Sequence, residues 1–435
     1  MLFCDIDYLT PQFTVDRGFV GVDKGRITYI GSTEPANPDS YGERYAGRGR
    51  LLMPGFYNTH AHAPMTLLRG YAEAMNLQDW LYNKIFPFEA LMDGADNYAG
   101  SLIAIAEMLR FGVVSYSDMY YFTEDRIRAV AETGIKANLA PALMVFDEDT
   151  RYEDMPDREQ NERLVRDYHG SFDNRIRIDL NIHSEYISNP QVVRAVGEQA
   201  RRLGVGTQVH ISETWAEHEE CRQRRGGLTP TAYFDSLGFF EAPCTAAHCV
   251  FTEPDDWQIF ADRNVYVSAN PASNFKLASG FAPLPEMLAA GVNVSLGTDG
   301  MASNNNHNMF KDLYLLATVY KAAGSDPTLI DPATALRIAT VNGAHCQGRF
   351  DAGAISIGNR ADLVVIQTDV PWAQPVSSAL NNIVYASQGS DVCLTMVDGQ
   401  VLYRDGQWPT IDIEAAIHAA QQATDRISSA VDNQG

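Results

Sequence analysis

Residues 54–65 read "PGFYNTHAHAPM" and set His60 and His62 one residue apart, directly after the apolar run "LLMPGF". On a strand, residues i and i+2 face the same side, so both imidazoles can reach one ion. The pair alone leaves two readings open: a metal clamp, or two histidines satisfied by solvent or backbone. The choice between them depends on whether the rest of the chain repeats the arrangement of a strand with polar residues at its C-terminal end.

The middle of the chain does repeat it. With "LLMPGFYNTH" as the first strand, the pattern predicts further strands at 111–118, 136–144, 176–183, 205–213, 244–249, 265–270 and 292–299. Helical patterns such as "NPQVVRAVGEQARRLG" and "PATALRIATVNGAHCQG" lie between them. Asn-Pro or Asp-Pro opens several of these helices and glycine closes several. Strands that alternate with helices in this way predict an α/β fold, a (β/α)8 TIM-like barrel. The two ends of the chain differ from the middle. "FVGVDKGRITYIGS", "AISIGNRADLVVIQ" and "CLTMVDGQVLYRDGQ" read as strand–turn–strand units. The expected organisation is therefore a small β-sandwich built from 1–52 and 353–411, a barrel over 53–352, and a terminal helix over 412–435.

Composition narrows the function classes. The formal net charge of −22 repels phosphate backbones and anionic lipid. Nucleic-acid polymers and membranes are thus not expected as partners, whereas a small uncharged or zwitterionic molecule is. No run reaches the ~18 apolar residues of a membrane span. The first residues, "MLFCDIDYLTPQFTVDRG", lack the basic and apolar regions of a signal peptide. The six cysteines form no C-x-x-C pair, which fits reduced thiols and a cytoplasmic location.

Barrels of this kind carry their chemistry at the C-terminal strand ends. Five of the ten histidines fall there: His60, His62, His183, His210 and His248. Asp299 stands in "GTDG" at the end of the last strand. His210 and Asp299 would add nitrogen and carboxylate ligands to the His60–His62 pair, although an aspartate in such a turn is commonly a turn former or cap. Glu213, three residues past His210, is placed for proton transfer, or else simply caps the helix that begins there. His248, taken alone, reads as a buried histidine bonded to backbone.

The motifs "PGFYNTHAH", "HISET", "AHCV" and "SLGTDGMASNN" resemble the amidohydrolase superfamily. More narrowly, they resemble the deaminases of S-adenosylhomocysteine, 5'-methylthioadenosine and related adenosines. The resemblance runs over nearly the whole chain. It implies that His60, His62, His210 and Asp299 hold one divalent metal ion, expected to be zinc with iron as the alternative. No lysine at the end of strand 4 offers to bridge a second ion. It also implies a proton-handling pair, Glu213 and His248, and a homo-oligomer. Trp80 and Glu89 in "NLQDWLYNKIFPFEA" match a tryptophan–glutamate pair whose glutamate holds ribose hydroxyls, and His183 matches a substrate-contacting histidine. On this view Glu213 protonates N1 of an adenine ring, Asp299 takes a proton from the attacking water and His248 orients that water.

Two segments depart from the subgroup. Members that handle S-adenosylhomocysteine carry arginines after strand 3. Here Phe146 and Asp147 stand about where one is expected, with Arg151 and Arg158 as candidates for another. The motif "NNLDM" is here "NNHNM", with His307 and Asn308. The expected reaction converts an adenosine-type nucleoside (5'-methylthioadenosine, S-adenosylhomocysteine, 5'-deoxyadenosine or adenosine) to its inosine analogue and ammonia. The alternatives are the same scaffold acting on guanine, a pterin or a triazine, and a non-catalytic scaffold protein.

Overall fold

At Gly55 the chain passes from one sheet to another. The computed structural model describes residues 1–433, and counts below refer to these described residues. Residues 434–435, the end of the expected terminal helix, lie outside the described residues. Where one strand was expected over "LLMPGFYNTH" there are two. A Cβ on Gly55 would sit 2.2 Å from Cγ1 of Val114, so the crossing is open only to glycine.

Before the crossing lie β1 (Leu2–Leu9), β2 (Val15–Asp23), β3 (Arg26–Gly31), β4 (Arg44–Ala46) and β5 (Arg50–Pro54). The β2–β3 turn is Lys24–Gly25, with φ of 47° and 77°. Both residues are left-handed, as a two-residue hairpin with the right twist requires.

After it come β6 (Phe56–His62), β7 (Val113–Tyr120), β8 (Lys136–Pro141), β9 (Ile176–Ile178), β10 (Leu180–Asn181), β11 (Thr207–Ile211), β12 (Cys244–His248), β13 (Tyr266–Ala269), β14 (Asn293–Leu296) and β15 (Asp299–Gly300). They form two parallel arcs, β15-β6-β7-β8-β9 and β10-β11-β12-β13-β14. β9 and β10 are two halves of one strand interrupted at Asp179. Asp179 N bonds back to Leu139 O, and Leu180 N bonds forward to Gly206 O. β14 and β15 are halves of another, interrupted at Gly297–Thr298, where Gly297 N bonds to Ala269 O and Thr298 N to His60 O. The arcs therefore join at both ends into a ring of eight parallel strands, the barrel that the sequence predicts. Helices lie between the strands and begin and end where their caps dictate. Over Pro190–Leu203, Asn189 accepts from Val192 N at one end and Gly204 turns left-handed at the other.

The chain then returns to the first sheet with β16 (Leu363–Gln367), β17 (Val392–Val397) and β18 (Gln400–Arg404). β16 pairs antiparallel with β5, so one eight-stranded sheet draws its strands from before and after the barrel. It folds around its own core, where Phe3, Ile6, Val20 and Ile27 meet Leu363, Val365, Leu394 and Met396. Each such fully buried side chain contributes about 1.5–3 kcal/mol. "AISIG" is not the strand expected of it. Its neighbourhood meets the β2–β3 turn and the start of β3 through Ala361 N to Gly25 O, Gly358 N to Ile27 O and Ile27 N to Asn359 O, a single antiparallel bridge and no ladder.

Two contacts fasten the barrel. Lys136 at the start of β8 reaches Asp362 Oδ2 (2.5 Å) and Asp398 Oδ1 (2.7 Å), while Tyr57 donates to Asp362 Oδ2 (2.6 Å). The other is the helix Ile413–Asp432. Its Ala423 and Ile427 pack with Leu67, Trp80, Leu81 and Ile85, and Thr424 Oγ1 donates to Leu67 O at 2.9 Å. All six cysteines are free thiols. Among the described residues no helix is long and apolar enough to cross a membrane.

Candidate active site

His60 and His62 end β6 and do share one side of it. Their rings meet those of His210 on β11 and the carboxylate of Asp299 on β15. Nε2 of His62 is 3.3 Å from Nε2 of His210 and 3.3 Å from Oδ1 of Asp299. Nε2 of His60 is 3.3 Å from the same Oδ1.

The outer nitrogens settle what the inner ones can do. His62 Nδ1 donates to Met119 O (2.7 Å) and His210 Nδ1 donates to His183 O (2.8 Å). A carbonyl only accepts, so each Nδ1 carries the hydrogen and each neutral ring turns an Nε2 lone pair inward. With both rings neutral, two lone pairs at that separation cannot bond to each other, and a cation between them, a metal ion or a proton on His62, satisfies both. His60 Nε2 is also buried with no hydrogen-bond partner. A tetrahedral ion with arms of ~2.05 Å has ligands ~3.3 Å apart, which is the spacing found. His60, His62 and Asp299 form one group of possible ligands and His60, His210 and His248 an adjoining one, and imidazole nitrogens with a carboxylate oxygen fit a divalent metal ion.

Electrostatics agree. Burial pushes His60 down to about 4 and holds His210 well below its usual value, leaving both neutral, the form that ligates. Burial opposes charge on His62 too, but the Asp299 carboxylate outweighs it and lifts His62 to about 9. A divalent ion competes with that proton, so its binding releases one. Asp299 sits at a left-handed φ of 62°. Its Oδ2 accepts from Ser273 Oγ (2.6 Å) and Ser303 Oγ (2.9 Å), which leaves Oδ1 for the histidines.

Glu213 lies just past β11, buried beside the cluster, and burial pushes its carboxyl up. The turn that presents it is held by Glu217, which accepts from the backbone N–H of Ser212 and Glu213, each at 2.8 Å. His248 ends β12 at a left-handed φ of 71°. Its Nδ1 lies 2.8 Å from Asn274 Oδ1, and its Nε2 lies 3.7 Å from Glu213 Oε2. A carboxyl and an imidazole thus stand together beside the metal-ligating cluster, too far apart here for a direct hydrogen bond.

The opposite wall is the helical segment 77–89, capped by Asn76, whose side chain accepts from Asp79 N. It brings Leu77, Trp80, Leu81, Ile85, Phe86 and Glu89 to the same pocket. The indole Nε1 of Trp80 is buried and has no partner. Glu89 Oε1 accepts from Tyr120 OH at 2.6 Å, and burial pushes the Glu89 carboxyl up to about 7. With its open mouth the pocket holds about 690 Å³ of space.

Of the residues expected at the site, His62, Trp80, Glu89, His183, His210, Glu213, His248 and Asp299 all line this pocket, with His60 directly behind. Arg158 does not. It is exposed on the helix Pro156–Tyr168, outside the lining. Arg151 is exposed and pairs with Glu153. His307 is buried behind the cluster, its Nδ1 3.1 Å from Thr298 Oγ1, and Asn308 caps the helix Met309–Gly324. Sequence reasoning missed Tyr120, which anchors Glu89, and Ser273 and Ser303, which orient Asp299. The signal for Tyr120 was its place in "MYY" at the C-terminal end of the second barrel strand. The two serines follow strands 7 and 8, in "PASNF" and "MASNN".

The model of the Amidohydrolase family matches residues 51–402. A 5-methylthioadenosine/S-adenosylhomocysteine deaminase of Acetivibrio thermocellus is 38% identical over 411 residues, covering 94% of each chain. A 5'-deoxyadenosine deaminase of Methanosarcina mazei is 36% identical over 419 residues, covering 96% of this chain and 95% of its own. The solved structure of an adenosine deaminase from Xanthomonas campestris with bound zinc superposes with a TM-score of 0.90 at 30% identity. That match covers 98% of this chain and 99% of the other. The chain belongs to the amidohydrolase family.

Proposed function

We propose that this member of the amidohydrolase family is a metal-dependent deaminase of adenosine-type nucleosides, yielding the matching inosine and ammonia. The observation that carries the reading is one pocket with two unlike walls. A set of divalent-metal ligands with a buried acid lies on one side, and Glu89 and the unpartnered Trp80 indole lie on the other.

His60, His62, His210 and Asp299 hold the ion, taken as zinc, though iron suits the same donors. Bound there, the ion supplies Lewis-acid chemistry and makes a water acidic enough to attack near neutral pH. Glu213, whose carboxyl burial pushes up, donates to ring N1 and makes C6 electron-poor. Asp299 Oδ1 takes a proton from the attacking water while its Oδ2 stays with the two serines. His248, fixed by Asn274, orients the water from the Glu213 side. The bond from C6 to the exocyclic amine breaks as Asp299 returns its proton to that amine, the C6 oxygen gives its remaining proton to Glu213, and ammonia leaves. Glu89 accepts from the two ribose hydroxyls, Trp80 Nε1 donates to the nucleoside, and His183 contacts the ring. Similarity to deaminases of two adenosine derivatives supports the choice of substrate class.

The test is ammonia release by the purified protein over adenosine, 5'-deoxyadenosine, 5'-methylthioadenosine, guanine and a pterin, with metal content measured on the same sample. Turnover of the nucleosides is expected. Turnover of a free base alone, or of nothing, refutes the reading.

A further inference from the structure

The deaminase reading fixes two ends of the pocket. The reacting ring must lie at the histidine–aspartate cluster and the ribose at Glu89, so the 5' substituent points to the mouth. We propose, resting on that reading, that the mouth selects nucleosides whose 5' group is uncharged, such as a methyl or an alkylthio group, and rejects those ending in a carboxylate.

Apart from His62 and His183 beside the metal-ligating cluster, the half-exposed residues of the lining are Phe86, Tyr121, Ala142, Tyr186 and Leu277, and these define the mouth. None carries a charge. No lysine or arginine lines the pocket anywhere among the described residues, whereas Glu89, Glu213 and Asp299 do. Two cations close in sequence to lining residues or to the turn after strand 5 are already engaged. Lys276, next to Leu277, donates to Ala302 O (3.1 Å) and Asn305 Oδ1 (2.5 Å) and pairs with Glu73 (3.1 Å). Arg225 is taken by Glu185 (2.7 Å) and Glu148 (3.1 Å). Lys84, on the segment that carries Trp80, is exposed and outside the lining.

A carboxylate drawn into this mouth loses water and gains no partner, in the field of a chain of net charge −22. A site with no partner for a substrate's charge discriminates by roughly 100-fold or more. An alkyl or thioether group meets the opposite situation, because the aromatic and leucine side chains gain apolar contact.

The test compares two probes of nearly equal length, 5'-butylthioadenosine and 5'-(3-carboxypropylthio)adenosine, by kcat/KM for ammonia release. The expected ratio is about 100 in favour of the butyl compound, carried mainly by KM. Leu277→Arg, which sets a cation at the mouth, is expected to narrow that ratio about tenfold. A wild-type ratio under about 5, or a folded Leu277→Arg protein that keeps the full ratio, overturns the inference and leaves the deaminase reading standing. Ammonia from neither probe nor from adenosine overturns both.

Discussion

Replacing Glu89 by glutamine keeps the shape of the side chain and removes its charge. In the structure Glu89 is buried, holds Tyr120 OH at 2.6 Å on Oε1 and has no lysine or arginine among the residues lining its pocket. If it accepts from two ribose hydroxyls, the change turns one charge-assisted bond into a neutral one and sets an NH2 where the other acceptor stood. Charge-assisted bonds contribute about 1.5–3 kcal/mol and neutral ones about 0.5–1.5, so the combined loss is about 2–4 kcal/mol, or roughly 30- to 1000-fold in kcat/KM. Two pH effects of opposite sign accompany it. Burial raises the carboxyl from 4.5 to about 7 in the folded protein, and nucleoside binding needs the ionised form. Wild-type kcat/KM should therefore rise with pH up to about 7. Folding stability runs the other way. The folded state keeps a proton that the unfolded state has lost, so this contribution is full below pH 4.5 and declines until about 7. Across about 2.5 pH units the decline amounts to roughly 3 kcal/mol. Glu89→Gln should abolish both slopes. The assay is steady-state ammonia release and urea unfolding from pH 5 to 8.5. A glutamine variant within twofold of wild type at pH 7.5, with the acid limb unchanged, refutes the assignment.

Glu213→Gln should lower kcat by about 10²–10⁴ and leave metal stoichiometry, measured by elemental analysis, unchanged. A variant that stays active, or that loses its metal, contradicts the role given to Glu213. Exhaustive chelation should abolish turnover and lower the melting temperature, and added zinc should restore both. An ion present at a thousand times its Kd stabilises by about 4 kcal/mol, so an unchanged melting curve would argue against the site. Arg126 is fully buried and donates to Asp118 Oδ2 (2.8 Å), Tyr120 O (2.6 Å) and Tyr121 O (2.9 Å). Arg126→Ala strands the Asp118 charge and should destabilise by about 3–5 kcal/mol in denaturant titration, and a loss below 1 kcal/mol would mean that Asp118 is not charged.

The barrel was legible because its signals are local. The strands are short, largely buried runs, and five of the eight have a histidine or acidic site residue at or just past the C-terminal end. His60 and His62 could be paired from period two alone, and family motifs brought in His210 and Asp299. Contacts distant in sequence were less legible. The pattern around Gly55 reads as one strand because only Val114, on a neighbouring strand, forbids a side chain there. "AISIG" alternates like a strand, but its neighbourhood makes a single bridge and not a ladder. Arg158 looked available as a free cation in the right interval. Its helix turns it to solvent, and the phase of a polar helix against a pocket cannot be read from one sequence. Ser273 and Ser303 gave no signal as isolated serines, since their role exists only through the left-handed bend that swings Asp299 between them.

The helix Ile413–Asp432 backs the wall that carries Trp80 and Glu89, yet it is synthesised after every other part of the pocket. The metal-ligating cluster is complete in sequence at residue 299, more than a hundred residues earlier. The helix that backs the Trp80–Glu89 wall is therefore the last part of the pocket to be made, and until then Leu67, Trp80, Leu81 and Ile85 lack the apolar cover of Ala423 and Ile427.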